Sequence, residues 1–290
     1  MEFRAKETHP PKLGQIARMS IDETALHNGE LYTILTNKDA QGKKGALAAI
    51  IKGTKNKIVS QALAKIPVNK IFNVKEITAD LAESMDWICN TNFPNAILTA
   101  DRFHVQKVVS EAVQEIRINL RRKAIDKENR LITEAKKERR KYRPRRYSNG
   151  DTPKQLLARS RYLLFKPKSK WIKSQQERAA ILFHNFPELE KAYQLSLYFR
   201  GIYENTQDRE TGARQIKKWF NKVSRSEIKP LMSAACTIEH NLGKILNYFY
   251  NRETNASAES FNAKLKGFRS LVRGVRDINF FLYRITQAFA

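Results

Sequence analysis

The sequence has few cysteines and no long apolar run. Its two cysteines, Cys89 and Cys236, lie far apart, and neither has a histidine or another cysteine at metal-ligand spacing. This spacing excludes a disulfide framework and gives no sign of a zinc module. No apolar stretch reaches the roughly 18 residues of a membrane span, and no signal-like core stands at the amino end. We therefore expect a soluble cytoplasmic protein.

Acidic residues are also scarce, because 29 Asp and Glu stand against 54 Lys and Arg. The formal charge of +25 favours a polyanionic partner, with nucleic acid ahead of an anionic membrane surface. The excess is greatest in residues 117–146, where 14 basic residues accompany 4 acidic ones. Such a run is typical of a solvated helix face, and it also fits a surface that follows a phosphate backbone.

The first hundred residues alternate between strand-like and helix-like patterns. Three strand-like segments are separated by turns rich in Asn, Asp and Gly, which predicts antiparallel strands. Two further strands follow, each after a helical pattern. The predicted strands are 19–22, 31–36, 46–51, 71–78 and 96–99, and the predicted helices are 58–66 and 81–91. Three antiparallel strands followed by parallel strands with helical crossovers are typical of an α/β, ribonuclease H-like fold.

From Phe103 onward the sequence shows helical patterns and no further strand. We interpret this long stretch as an all-α insertion that interrupts the core. The predicted organisation is an amino-terminal extension over 1–18, the first part of the core over 19–119, the helical insertion over 120–250, and completion of the core over 251–290.

Carboxylates follow the strands that should lie side by side. In a ribonuclease H-like sheet the first strand is central and the fourth lies beside it in parallel, so Asp22 and Asp80 should face the same crevice. Asp101 should end the fifth strand, one step outward. An aspartate at a strand end is more often a turn or helix cap, but several together suit two Mg²⁺ or Mn²⁺ ions, which prefer oxygen ligands.

The segment from Thr254 onward predicts an amphipathic helix with one polar and one apolar face. The apolar face should pack on the sheet, and the polar face suits a metal and nearby phosphates, although an exposed helix with an incidental Glu also explains it. The polar face carries Glu259, Asn262, Lys266 and Arg269, and the apolar face carries Phe261, Leu265, Phe268 and Val272.

His104 follows Asp101 by three residues, one helical turn away. The pair could orient an imidazole near a scissile phosphate, or it could simply cap a helix.

At these residues the sequence resembles the DDE transposases of the ISL3 family of bacterial insertion sequences. The resemblance extends from about Met19 to Phe289. It rests on the order and spacing of several short motifs, which are Ile21-Asp22-Glu23, the Asp80 segment, Asp101-Arg102-Phe103-His104-Val105, Ser160-Arg161-Tyr162-Leu163-Leu164, Asn255-Ala256, Glu259-Ser260-Phe261-Asn262, and Arg273-Gly274-Val275-Arg276 with Phe280 and Arg284.

The resemblance implies a metal-binding triad of Asp22, Asp80 and Glu259, with Asp101 and His104 as a further catalytic motif. Asp101 could instead be the second acid of the triad. Two ions would support hydrolytic nicking at the element's ends and then attack of the freed 3′-hydroxyl on target DNA. DNA contacts are expected from Arg102, Asn262, Lys264, Lys266, Arg269, Arg273 and Arg276.

Members of this family commonly carry an amino-terminal zinc module and a helix-turn-helix, which residues 1–18 are too short to build. We therefore expect that a separately encoded polypeptide recognises the element ends, or that the chain is a remnant. We also expect a dimer or larger assembly on DNA and association with the nucleoid. Two other functions remain open, a nuclease of the same fold that cuts without joining and a non-catalytic, transposase-derived DNA-binding protein.

Overall fold

A computed structural model of the chain describes residues 16–27, 29–252, 254–271 and 277–290. The chain divides into two compact units, and the first unit is formed by two separate stretches of the sequence. The first unit takes residues up to Val105 and again from Asn241, and the second takes residues 106–240. No helix in the described ranges is both long and apolar enough to cross a membrane.

The first unit is built on one mixed sheet of five strands in the order β3-β2-β1-β4-β5. β1 pairs antiparallel with β2, and β2 pairs antiparallel with β3. β4 runs parallel to both β1 and β5, so β1 lies at the centre. The strands are β1 (Arg18–His27), β2 (Glu30–Asn37), β3 (Leu47–Lys52), β4 (Glu76–Ala79) and β5 (Ile97–Ala100).

Both faces of the sheet are covered by helices. Apolar residues of β1, such as Ile21, join the buried residues of α1 (Asn56–Leu63) and α3 (Glu83–Asn92) in one cluster. On the opposite face, β2 and β3 pack against α11 (Ala256–Leu271) and α12 (Ile278–Phe289). Because strand side chains alternate between faces, Asp22 lies on the face opposite Ile21, which is the face that α11 covers.

The sequence prediction is wrong at one strand. Residues 71–78 were expected to form a single strand, whereas α2 occupies Val68–Asn73 and β4 begins only at Glu76. Pro67 precedes the first turn of α2, and its fixed φ suits the start of a helix. The apolar pair Ile71-Phe72 does not distinguish a strand from a short helix by periodicity alone.

The regular elements described in the second unit, residues 106–240, are all helices. Its first helix, α4 (Arg102–Lys137), begins within the first unit, and residues 141–147 that follow it form no regular element. The remaining helices are α5 (Pro153–Arg159), α6 (Lys173–Asn185), α7 (Pro187–Asn205), α8 (Arg209–Ser224) and α9 (Lys229–His240).

The boundary between the units differs from the sequence expectation at both ends. The first part of the core was expected to end at residue 119, whereas the first unit ends at Val105. The prediction assigned residues up to 250 to the insertion, but α10 (Leu242–Asn251) belongs to the first unit. The side-chain amide of Asn247 donates a hydrogen bond of 2.8 Å to the Leu98 carbonyl of β5. Lys244 on the same helix contacts both carboxylate oxygens of Asp86 on α3. Such contacts join residues about 150 positions apart, which a local pattern does not reveal.

Candidate active site

The register of β1 and β4 places two acidic residues side by side. Ser20 on β1 is paired with Thr78 on β4. Asp22 comes two residues after Ser20, and Asp80 comes two residues after Thr78. Both carboxylates therefore stand at the same level, on neighbouring segments of backbone.

A third acidic residue continues this row. Ala79 of β4 is paired with Ala100 of β5. Asp80 follows Ala79 in the sequence, and Asp101 follows Ala100. The Asp101 amide donates a 2.7 Å hydrogen bond to the Ala79 carbonyl, so the ladder continues to this residue. Asp22, Asp80 and Asp101 thus form a row across the carboxyl ends of three parallel segments, as the strand order predicted.

Asp22 is held by two hydrogen bonds on different oxygens. Its Oδ1 accepts from the backbone N–H of Glu23 at 2.8 Å, and its Oδ2 accepts from the Asn262 amide at 2.7 Å. Burial raises the pKa of Asp22, the charge of Asp80 raises it further, and these hydrogen bonds together with His104 oppose the shift. A carboxylate that is partly desolvated beside another carboxylate attracts a cation.

Asp80 and Asp101 are held in different ways. Asp80 is half-buried, and its Oδ1 accepts from the Ala82 N–H at 2.9 Å. Asp101 is 1% exposed, and both of its oxygens are engaged. Its Oδ1 accepts from the Asn255 N–H at 3.0 Å, and its Oδ2 lies 3.0 Å from His104 Nδ1. Asp101 therefore ties the end of β5 to the segment just before α11.

His104 lies in the first turn of α4 and acts as the local cation when protonated. Its hydrogen bond to Asp101 raises its pKa, and the charges of Asp80 and Asp22 raise it further, against the effect of burial. The same hydrogen bond and the Asn255 N–H lower the pKa of Asp101, although its burial alone would raise it. The structure thus pairs the two residues, as their spacing suggested.

Glu259 comes from the first turn of α11. Loss of surrounding water raises its pKa, and the charges of Asp101 and Asp22 raise it further, while His104 lowers it. The Glu259 carboxylate therefore lies close enough to Asp22, Asp101 and His104 to be affected by their charges. The chain brings it there from more than 150 residues beyond Asp101.

Two residues at the site had no role in the sequence-based prediction. Glu23, next to Asp22, is a further carboxylate whose pKa is raised by burial and by the charges of Asp80 and Asp22. Asn255 is 1% exposed, and neither side-chain atom of its amide has a hydrogen-bond partner. Both residues stand in motifs that carry the family resemblance, Ile21-Asp22-Glu23 and Asn255-Ala256, but the sequence alone assigned a role to neither.

The residues expected to bind DNA fall in several environments. Arg102 is half-buried at the start of α4, and Lys266 is exposed on α11. Lys264 is exposed and donates a 3.0 Å hydrogen bond to the Gly42 carbonyl. Asn262 contacts Asp22 as described, and Arg273 and Arg276 lie outside the described residues.

Arg269 differs most from its expected position on the polar face of α11. It is 7% exposed, and its guanidinium carbon lies 4.6 Å from the centre of the Phe281 ring on α12. This geometry is a cation–π contact between two helices of the core. The described part of the structure therefore gives Arg269 a packing role and leaves Lys266 as the exposed cation of that helix face.

The donor set at this site is made of oxygen atoms, which Mg²⁺ and Mn²⁺ prefer. The carboxylates of Asp22, Asp80 and Glu259 fit such an ion by their chemistry, and the buried Oδ1 of Asn262 beside them has no hydrogen-bond partner. Within the described ranges, no three His, Cys, Asp or Glu side chains are already gathered at ligand distance of one point.

Comparison with known proteins identifies the family. The family model of a transposase, the ISL3 type of DDE transposase, matches residues 19–285. No curated protein and no solved structure matches the chain. The matched range includes all five strands except Arg18, together with α11 and the row of acidic residues. The chain belongs to the ISL3 family of DDE transposases.

Proposed function

We propose that the chain catalyses divalent-metal-dependent DNA cleavage and strand transfer at the ends of an insertion element. The strand order β3-β2-β1-β4-β5, with three antiparallel strands followed by two parallel ones, supports a ribonuclease H-like catalytic core. The helical second unit supports an insertion between β5 and the glutamate helix α11. The net charge of +25 supports a nucleic-acid substrate.

The alignment of Asp22 with Asp80 across β1 and β4 is the observation that carries this proposal. We assign metal binding to these two residues and to Glu259. Asp101 is the weaker candidate for the second acid, because its side chain is only 2% exposed, whereas Asp80 is half-buried.

Two Mg²⁺ or Mn²⁺ ions would supply activation of a water or 3′-hydroxyl and stabilisation of the leaving oxygen. The protein's own residues prepare the site. Asn262 holds one Asp22 oxygen, and the Glu23 N–H holds the other. Asp101 fixes His104 through Nδ1, so that the second ring nitrogen, Nε2, would donate to a phosphate oxygen when the ring is protonated.

Other parts of the proposed function concern partners. Lys266 and Arg102 would contact backbone phosphates, which positions DNA without reading its sequence. Joining two element ends requires two active sites, which supports a dimer or larger assembly on DNA. We also propose that a separately encoded polypeptide contributes to recognition of the ends and that the protein is associated with the nucleoid.

The test is cleavage of a labelled duplex that carries the element's end and its flanking sequence, with Mg²⁺ or Mn²⁺. We expect Asp80→Asn and Glu259→Gln to lower nicking by at least about 100-fold, since each removes a charge that holds the ion. Asp101→Asn should retain more activity than either. Glu83→Gln, an exposed glutamate in the first turn of α3, is the matched control and should match wild type.

Three outcomes would change the proposal. An inactive Asp101→Asn beside an active Asp80→Asn would move the second acid to Asp101. Nicking without joining to target DNA would identify a nuclease. Metal-independent DNA binding with no cleavage would identify a DNA-binding protein derived from a transposase.

A further inference from the structure

The second unit contains a cavity of about 460 Å³, and none of its lining residues belongs to the row of aspartates. Its walls come from α4, from the irregular segment 142–147, from the start of α5 and from Phe186. This volume falls within the range of small-ligand sites, which is about 300–1,000 Å³. The site therefore has room for one nucleotide-sized group.

The cavity wall is strongly basic. Five cations line it against one carboxylate, Glu128, which forms a 2.9 Å ion pair with Lys154. The other four cations are Lys123, Lys127, Arg143 and Arg145. This imbalance favours a ligand that carries negative charge at the rim of the cavity.

The interior of the cavity is aromatic and apolar. Tyr142, Tyr147 and Phe186 line it and are each half-buried. The guanidinium carbon of Arg145 lies 5.4 Å from the centre of the Tyr147 ring. Planar rings beside a guanidinium provide stacking surfaces for a nucleobase.

The segment that closes the cavity has an alternating pattern. Tyr142 and Pro144 are half-buried, whereas Arg143 and Arg145 are exposed, and all four residues line the cavity. One short segment therefore supplies both an apolar wall and a cationic edge. A phosphate backbone could follow that edge while a base enters between the rings.

We propose that this cavity holds one unpaired base of a DNA strand, whose neighbouring phosphates lie on the surrounding cations. The proposal rests on the proposed function in taking DNA as the polyanion. A lone phosphate would leave the aromatic interior unfilled. A paired base cannot enter, because stacking and pairing keep it inside the duplex.

The test compares two duplexes of equal length and sequence, one fully paired and one with a single central bulged 2-aminopurine. Binding is measured with the full chain carrying Asp22→Asn, in EDTA, so that no cleavage contributes. We expect about tenfold tighter binding of the bulged duplex, which corresponds to stacking of one base on aromatic side chains. The 2-aminopurine fluorescence should fall on binding.

Variants of two tyrosines connect this preference with the cavity. Tyr147→Leu should remove most of the preference and the fluorescence change. Tyr162→Leu is the matched control, because Tyr162 is 68% exposed, does not line the cavity and also has an arginine, Arg161, over its ring at 5.5 Å. This control should retain the full preference.

Ala124→Phe provides a second variant that fills the cavity from α4 and leaves every aromatic ring in place. It should also abolish the preference while general DNA affinity persists. The proposal would be overturned if the protein with the unsubstituted cavity bound both duplexes equally well. It would also be overturned if Tyr147→Leu and Ala124→Phe left the preference for the bulged duplex unchanged. Because the assay contains no metal, loss of nicking in the catalytic experiment is a separate result.

Discussion

The side-chain amide of Asn262 donates a 2.7 Å hydrogen bond to Asp22 Oδ2, joining residues 240 positions apart. Asn262 is buried on α11, and Asp22 lies on the central strand β1. The contact therefore connects the helix that carries Glu259 with the strand that carries the first aspartate. It fixes one oxygen of Asp22 and makes the position of α11 part of the active-site geometry.

Asn262→Ala should lower DNA nicking by about 10- to 100-fold, since a hydrogen bond to a charged group is worth about 1.5–3 kcal/mol. The change removes the donor to Asp22 and leaves the three proposed metal-binding carboxylates in place. Nicking rates at saturating Mg²⁺, together with the Mg²⁺ dependence, measure the effect. Asn279→Ala, on α12, is the amide control, and an Asn262→Ala variant with wild-type rates would show that the contact is not needed for catalysis.

Substitutions of Arg269 and Lys266 should have different effects, although both lie on α11. Arg269 packs on the Phe281 ring, so Arg269→Ala should lower the free energy of unfolding by about 1–2 kcal/mol. Lys266 is exposed, so Lys266→Ala should leave stability unchanged and reduce the salt dependence of DNA binding by about one phosphate contact. Urea unfolding and salt-dependent binding separate the two effects. If Arg269→Ala left stability unchanged and instead reduced the salt dependence of DNA binding, Arg269 would be a DNA contact.

The ion pair between Lys244 and Asp86 should stabilise the first unit. Lys244 Nζ lies 2.7 Å from Asp86 Oδ2, and the lysine side chain is 10% exposed against 30% for the aspartate. Asp86→Ala should lower the free energy of unfolding by about 2 kcal/mol, because it leaves a buried ammonium without its partner. Lys244→Met should cost less, since the remaining carboxylate is the more hydrated group.

Urea unfolding measures this difference. The control is the exposed pair Lys107–Glu111, which has a Nζ to Oε1 distance of 3.8 Å. Lys107→Met should change stability by less than about 0.5 kcal/mol, as exposed pairs do. An equally small effect of Asp86→Ala would mean that the Lys244 ammonium regains water when its partner is removed.

The two cysteines should react at very different rates. Cys89 is buried on α3, and burial raises the pKa of its thiol to about 12, whereas Cys236 is exposed. Only the thiolate reacts, so a thiol reagent should label one cysteine in the native protein and two after unfolding. Cys236→Ser should then show almost no native labelling. Rapid labelling of that variant would reveal frequent opening of the core around α3.

The sheet could be predicted from the sequence because its strands are short, regular and separated by recognisable turns. Asp22 and Asp80 could be aligned because the predicted strand order makes their strands neighbours, and the observed register agrees. α2 could not be predicted, because Ile71 and Phe72 suit a strand and a short helix equally well. The predicted polar face of α11 also failed at Arg269, since a cation that packs on an aromatic ring has the same periodicity as one in solvent.

Other features of the site depend on tertiary contacts alone. No local pattern predicts that Asn255 donates its backbone N–H to Asp101, because the two residues meet only after the second unit has intervened. The same reason explains why α10 was assigned to the insertion although it packs on β5. The sequence therefore predicted the strand order that sets Asp22 beside Asp80, and the structure adds the donors that hold Asp22 and Asp101.

The Asp101–His104 pair should make stability depend on pH at both ends of a defined window. The raised pKa of His104 contributes stability that is fully present below its unfolded value, about 6.5, and is lost as pH rises through the folded value. The lowered pKa of Asp101 contributes stability present above about 3.8 and lost as pH falls through the folded value. The pair therefore contributes most between these two pH values.

His104→Gln tests this dependence because glutamine retains a donor without a charge that titrates. The difference in Tm between wild type and His104→Gln should be largest between about pH 4 and 6.5 and should shrink as pH rises further. His184→Gln is the control, since His184 is exposed on α6, and this substitution should change Tm little. A His104→Gln difference that does not vary with pH would mean that the imidazole stays neutral beside Asp101. Its one proton would then lie on Nδ1, and Nε2 could not donate to a phosphate.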